Sequence, residues 1–221
     1  MIKRSTKGSP EVLLLMIATD LLLIVLHFLH TYSPYFTDPR FSLEVDRSFS
    51  EVFQYIKEYW IALIFCWLSI YKSAPSYLVW SLLFGYFLLD DAFMLHERLG
   101  RIVANHWQYH AMLRLRAKDF GELTVSALVG MAFLPALVGA YYWGTAEFRR
   151  VSQRLMIMLL VLVFFGVVLD MVHIMLPSES ILYQLLGAAD DGGEMVVMSV
   201  ICWYTLDFLT RDRNPGARGR E

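Results

Sequence analysis

The chain has 221 residues, is 57% hydrophobic, and has a mean hydropathy of +0.48 and a net charge of −2, too apolar for an ordinary soluble domain. No polybasic tract of nucleic-acid type is present, which argues against DNA or RNA as a partner. The two cysteines, Cys66 and Cys202, each sit mid-way along an apolar run, so no disulfide framework is expected.

Taken in chain order, the basic, polar start MIKRSTKGSP precedes a long apolar stretch, 11–30, with no A-x-A-like cleavage site after it. It reads as a retained first span rather than a signal peptide. A solvated loop with prolines and mixed charge follows. Ser48-Phe49-Ser50-Glu51 is a capping-box pattern that starts a helix near residue 49 and carries it into a second stretch, 58–73. The tight turn YKSAPS leads to a third, 76–97. Residues 98–118 are basic and aromatic-bearing, as expected of an interfacial helix. Three further stretches, 120–143, 154–176 and 185–209, precede a basic tail, 211–221, that reads as disordered. A hydrocarbon core of about 30 Å needs about 20 helical residues. The expectation is an all-α polytopic membrane protein: a six-transmembrane-helix bundle forming a single domain over 1–210, with an interfacial amphipathic segment. No internal repeat of transporter type is evident.

With the amino terminus cytoplasmic, eleven of the nineteen lysines and arginines fall on the inner side. That bias orients a multi-pass protein of an inner membrane with both termini in the cytoplasm.

Threading the chain up and down brings the ionisable residues to one end. His27 and His30 close the first stretch, while Asp90, Asp91, His96 and Glu97 close the third. Glu122 opens the fourth, Asp170 and His173 close the fifth, and Asp190, Asp191 and Glu194 open the sixth. Charged groups near hydrocarbon are costly, so such a cluster is a candidate functional site. Asp90 and Glu97 share a helical face at seven residues, Asp170 and His173 at three, and Asp190 and Glu194 at four. Carboxylate and imidazole donors from several facing helices are what a divalent transition metal requires. The candidate ligands are His96, Glu97, Glu122, Asp170, His173 and Glu194, with Asp190 and Asp191 as catalytic base or further ligand. Iron or zinc suits this donor set best, and manganese fits as well.

The D-x-x-H pair of Asp170 and His173 is similar, over four residues, to the E-x-x-H of ferritin-like di-iron and di-manganese carboxylate proteins. It departs from that pattern in having one such pair and an aspartate as its acid. Against the metal reading stands a structural network in which the acids pair with Arg98, Arg101 or histidines. Asp90 and Asp91 can equally cap a helix end. His106 and His110 belong to the exposed basic connection, Asp207 pairs locally with Arg211, and the glycines at 187, 192 and 193 serve packing as readily as ligand access. No lysine falls mid-span in this reading, so a retinal Schiff base is unsupported, and no P-loop, G-x-G-x-x-G, G-x-S-x-G or H-E-x-x-H is present.

The function expected on these grounds is a metal-dependent membrane enzyme, a hydrolase or oxidoreductase, acting on a lipid or other membrane-soluble molecule. The alternatives are a proton or cation transporter or channel, and a non-catalytic subunit packed against other membrane subunits.

Overall fold

The computed structural model describes residues 10–112, 114–178 and 180–212. The basic amino-terminal segment and the tail beyond residue 212 lie outside the described residues. Among the described residues eight α-helices follow one another: α1 (Pro10–Tyr32), α2 (Phe49–Tyr71), α3 (Ser76–Phe93), α4 (Leu95–His106), α5 (Ala117–Trp143), α6 (Ala146–Val163), α7 (Asp170–Ile174) and α8 (Ile181–Asp212). A 3₁₀ turn, Pro39–Phe41, interrupts the first loop, and a π-helical segment, Phe164–Leu169, joins α6 to α7.

The helix starts follow from local chemistry. Proline opens α1, where its missing N–H costs nothing. Ser48 caps α2, its hydroxyl accepting from the Glu51 N–H at 3.4 Å, as the capping-box pattern requires. Thr145 caps α6 by accepting from the Phe148 N–H at 3.1 Å. Before α5, the Arg116 N–H donates to the Asp119 carboxylate at 2.6 Å, and the Arg116 guanidinium closes on the same group.

The distribution of side chains is inverted relative to a soluble protein. Leu14 and Leu15 of α1 are 69% and 68% exposed, while Asp20 on the same helix is 0% exposed. Leu128, Met131 and Leu134 on α5, and Ile157 and Leu160 on α6, are exposed likewise. Polar side chains inside and leucines outside are stable only in an apolar solvent. Among the described residues, four helices are long and apolar enough to cross a membrane: Pro10–Tyr32, Ala117–Trp143, Ala146–Ile174 and Ile181–Arg211. A fifth crossing results if α3 and α4, bent by 75° at their junction, act as one span.

This is fewer than the six spans read from the sequence. The second stretch falls short because α2 carries Glu51, Gln54, Lys57 and Glu58 in its first half. Its polarity is masked by burial: Lys57 and Glu58 are 0% and 1% exposed, and α2 packs on α3 and α8 at the centre of the bundle. The third stretch is broken at Met94, which adopts a left-handed φ of 51°. Asp90 stabilises the break by accepting from the His96 N–H at 2.7 Å, a donor that α4 leaves open at its start.

One end of the bundle is a dry aromatic core. Phe65, Tyr77, Trp80 and Phe84 stack between α2 and α3, and Phe148, Leu155, Met198 and Ile201 close over them. The Trp80 indole N–H donates to Ser152 at 2.9 Å, which ties α3 to α6. Asp207 and Arg211 pair along α8 at this end, and Lys72 meets Glu147. At the other end α4 and α5 touch backbone to backbone. A Cβ on Gly121 would stand 2.0 Å from the Gly100 carbonyl oxygen, so glycine is required there.

Candidate metal centre

The ionisable end is assembled from the close of α1, α3 and α7 and the start of α2, α5 and α8. The π-helical segment sets its position. In it Gly166 lets the Glu194 carboxylate of α8 lie directly on the backbone: a Cβ at Gly166 would fall 1.7 Å from Glu194 Oε1. Gly193 makes the reciprocal space, since its Cβ would meet the Phe165 ring at 2.3 Å. The glycines at 192 and 193 therefore serve packing, and α8 runs through them as unbroken helix from Ile181. Asp190, Asp191 and Glu194 thus lie more than two turns inside a helix rather than at its mouth.

Past the π-helical segment, the short turn of α7 puts Asp170 and His173 on one face, opposite Asp190 of α8. One ligand atom from each of Asp170, His173 and Asp190 lies within 4.8 Å of the other two. A tetrahedral ion with bonds of about 2.1 Å holds its ligands roughly 3.4 Å apart, so modest side-chain rotation closes this triangle. His173 and Asp190 are 8% and 5% exposed, and His173 Nε2 and Asp190 Oδ1 have no hydrogen-bond partner among the described residues. A buried polar atom without a partner is costly, and a water, a proton or an ion can each offset that cost.

The remaining sequence-derived candidates surround this triangle. Glu194 lies in electrostatic range of Asp91, Asp170, Asp190 and Asp191. His96 is held by Asp90, with Nδ1 and Oδ1 3.2 Å apart. Glu122 is reached by Lys118 at 3.4 Å, and a Cβ on Gly100 would touch its side chain, which sets α4 with Glu97 beside it. Glu122 and His96 both act electrostatically on Asp170. Asp191, next to Asp190, faces the Glu44 and Asp170 charges.

Three participants escaped the sequence reading. Glu58 of α2 pairs with Asp91 of α3, carboxyl to carboxyl. The Tyr55 hydroxyl, one turn earlier, reaches the Asp91 carbonyl at 3.3 Å. Lys57 lies buried inside the bundle, just ahead of the second apolar stretch read from the sequence. Its ammonium donates to Asp20 at 3.1 Å, to Ser199 at 3.1 Å and to the Met195 carbonyl at 2.8 Å, which joins α1, α2 and α8. Glu44 is the third. His27 Nδ1 accepts from the Leu43 N–H at 3.1 Å, which fixes the first loop against α1 and delivers Glu44 to the site. Glu44 Oε1 and His173 Nε2 lie 3.0 and 3.1 Å from the point where a Cβ on Gly187 would stand. The doublet Lys57-Glu58 in an apolar run was a usable signal, whereas nothing in the polar loop marked Glu44.

Two cavities accompany the site. A polar vestibule of about 400 Å³ lies between the end of α1, the first loop and the start of α8, and Tyr183 on its wall stacks on His173 with ring centres 4.0 Å apart. A larger apolar groove of about 790 Å³ lies away from the acids, between Trp107–Met112 and the exposed face of α5.

The model of a family described as a domain of unknown function, DUF8692, matches residues 13–208. No curated protein and no solved structure matches the chain.

Proposed function

The chain belongs to the DUF8692 family, and we propose that it is a multi-pass membrane enzyme that uses a divalent metal ion held by Asp170, His173 and Asp190. One observation carries this reading: three ligand atoms converge within 4.8 Å, and two of the donors are buried without a partner. Two carboxylates and an imidazole balance the charge of a divalent iron, zinc or manganese ion. Three protein ligands leave a position open for water or substrate, the arrangement of catalytic rather than structural sites. A metal so held activates water at neutral pH or polarises an ester or amide carbonyl. Asp191 and Glu194 are placed to take the proton. The substrate is a lipid or another membrane-soluble molecule, because the site lies between helices with apolar outer faces. Helix α4 lies along the interface beside it, and both termini face the cytoplasm.

The test is metal content per chain by plasma mass spectrometry on protein purified in detergent without chelators. Wild type should hold close to stoichiometric metal, and Asp170→Asn/His173→Ala should lose it while its helical circular dichroism stays unchanged. Absence of metal from wild type refutes the reading. The acids would then form a proton or cation path, a role to which the carboxyl pair Glu58–Asp91 and its neighbour Glu194 lend themselves.

A further inference from the structure

The polar vestibule beside the triad has a chemistry of its own. Among the described residues its lining contains neither lysine nor arginine, and Glu44 is the one Asp or Glu side chain there. The Glu44 carboxylate, exposed at the mouth of the vestibule, has no hydrogen-bond or ion-pair partner among the described residues. Beneath it lie the Asp170, Asp190 and Asp191 carboxyls. His27 does not offset this charge. His27 Nδ1 receives the Leu43 N–H and carries no proton there, so this ring is neutral with its proton on Nε2. His30 Nδ1 donates to the Phe36 carbonyl at 2.7 Å, which fixes this ring against the first loop.

The walls add π faces. Phe28 and Tyr32, one turn apart on α1, stack with centres 6.3 Å apart and planes 8° apart, and Tyr183 stands across from them. Tyr32 is tied to Gln184 of α8 through its hydroxyl, which holds the ring at the rim. An anionic headgroup entering here would meet carboxylates and, among the described residues, neither lysine nor arginine. A neutral polyol would find acceptors but leave Glu44 without a counter-charge. A compact organic cation satisfies both the carboxylate and the ring faces, because the face of an aromatic ring attracts positive charge. The volume lies within the range of small-molecule sites, about 300–1,000 Å³.

We infer that this vestibule binds an organic ammonium group, either the amine headgroup of a lipid or a free amine, and presents the bond next to it to Asp170, His173 and Asp190. The second half of that statement rests on the metal-enzyme reading; the first half does not.

The experiment is calorimetric titration of the full chain in detergent with choline and with ethanolamine, with glycerol and inorganic phosphate as comparisons. Native mass spectrometry in parallel measures retention of phosphatidylethanolamine against phosphatidylglycerol. Binding of the free amines, or selective retention of the amine lipid, is expected, and the two arms tell a free amine from a headgroup. Glu44→Gln, which keeps the shape of the side chain, should weaken whichever binding is seen at least tenfold, and the exposed-rim variant Tyr32→Ala should weaken it as well. Metal content should be unchanged in Tyr32→Ala. Equal binding of glycerol or phosphate, wild-type affinity in Glu44→Gln, or no amine binding in either arm overturns the inference. Amine binding that persists in a chain devoid of metal refutes the metal reading alone.

Discussion

Replacing Asp20 by leucine leaves the fully buried Lys57 ammonium with the Ser199 hydroxyl and the Met195 carbonyl but no counter-charge. Two unit charges 3.1 Å apart attract by roughly 5 kcal/mol at an effective dielectric constant of about 20. Taking both out of water consumes most of that gain, so the net contribution of the pair is small while the cost of breaking it is large. Removing one partner of a buried pair costs about 3–5 kcal/mol, whereas replacing both by apolar residues of similar volume is often neutral or stabilising. Asp20→Leu alone should therefore lower stability by about 3–5 kcal/mol, and Asp20→Leu/Lys57→Met should recover to within about 1 kcal/mol of wild type. Ser199, released from Asp20, can turn its hydroxyl to the Met195 carbonyl four residues back on its own helix. The assay is reversible unfolding in mixed micelles with increasing SDS, followed by circular dichroism, for both single variants and the double. A double variant as unstable as the two single losses combined would refute the reasoning, since it would mean that charge balance is not what holds α1, α2 and α8 together.

Three further outcomes are expected. Gly187→Ala places a methyl group 2.9 Å from the His173 ring and 3.0 Å from Glu44, so metal affinity should fall about ten- to a hundredfold with helical content unchanged, as read by competition with a chelator. Gly121→Ala drives a methyl into the Gly100 carbonyl, and the forced separation of α4 from α5 should cost at least about 1–3 kcal/mol in the same unfolding assay. In the first loop the Arg40 guanidinium and N–H hold the Asp38 carboxyl down at about 2 from its ordinary value near 3.8. Because the folded value is the lower one, this contact is at full strength above about pH 4 and is lost as pH falls towards 2. Amide exchange across residues 38–42, corrected for its intrinsic pH dependence, should therefore not change between pH 5 and 8; a rise in protection-free exchange within that window would contradict it.

Much of the arrangement was legible because membrane solvation imposes a simple rule. A long apolar run must cross or be buried, and alternation of the runs then carries acids to one end. Asp170 and His173 could be paired by spacing alone, since three residues is nearly one turn, and Ser48 to Glu51 announced the start of α2. What failed did so for physical reasons. Hydropathy averages over a helix, so it scored α2 as a span with a polar entrance rather than as a buried central element whose charges face partners on other helices. No local pattern marks the left-handed Met94, because its conformation is held by Asp90 reaching across the bend to His96. The π-helical segment is equally silent in sequence, since what fits it is the match between Gly166 and Glu194 on another helix.

Charge balance gives the last reason to look for a cation at this end. Among the described residues, several basic groups near the acids are already committed to other carboxylates. Lys57 is held by Asp20, Lys118 faces Glu122, Arg116 closes on Asp119, and His96 sits on Asp90. That leaves Glu58, Asp91, Asp170, Asp190, Asp191 and Glu194 as a contiguous group of carboxyls without a basic side chain paired to any of them. An interior poor in water tolerates such a group only when protons or cations neutralise it. Protons suffice for Glu58 and Asp91, which face each other and can share one. The proposed metal would offset the Asp170 and Asp190 carboxylates and take up the unpartnered His173 nitrogen at this end of the bundle.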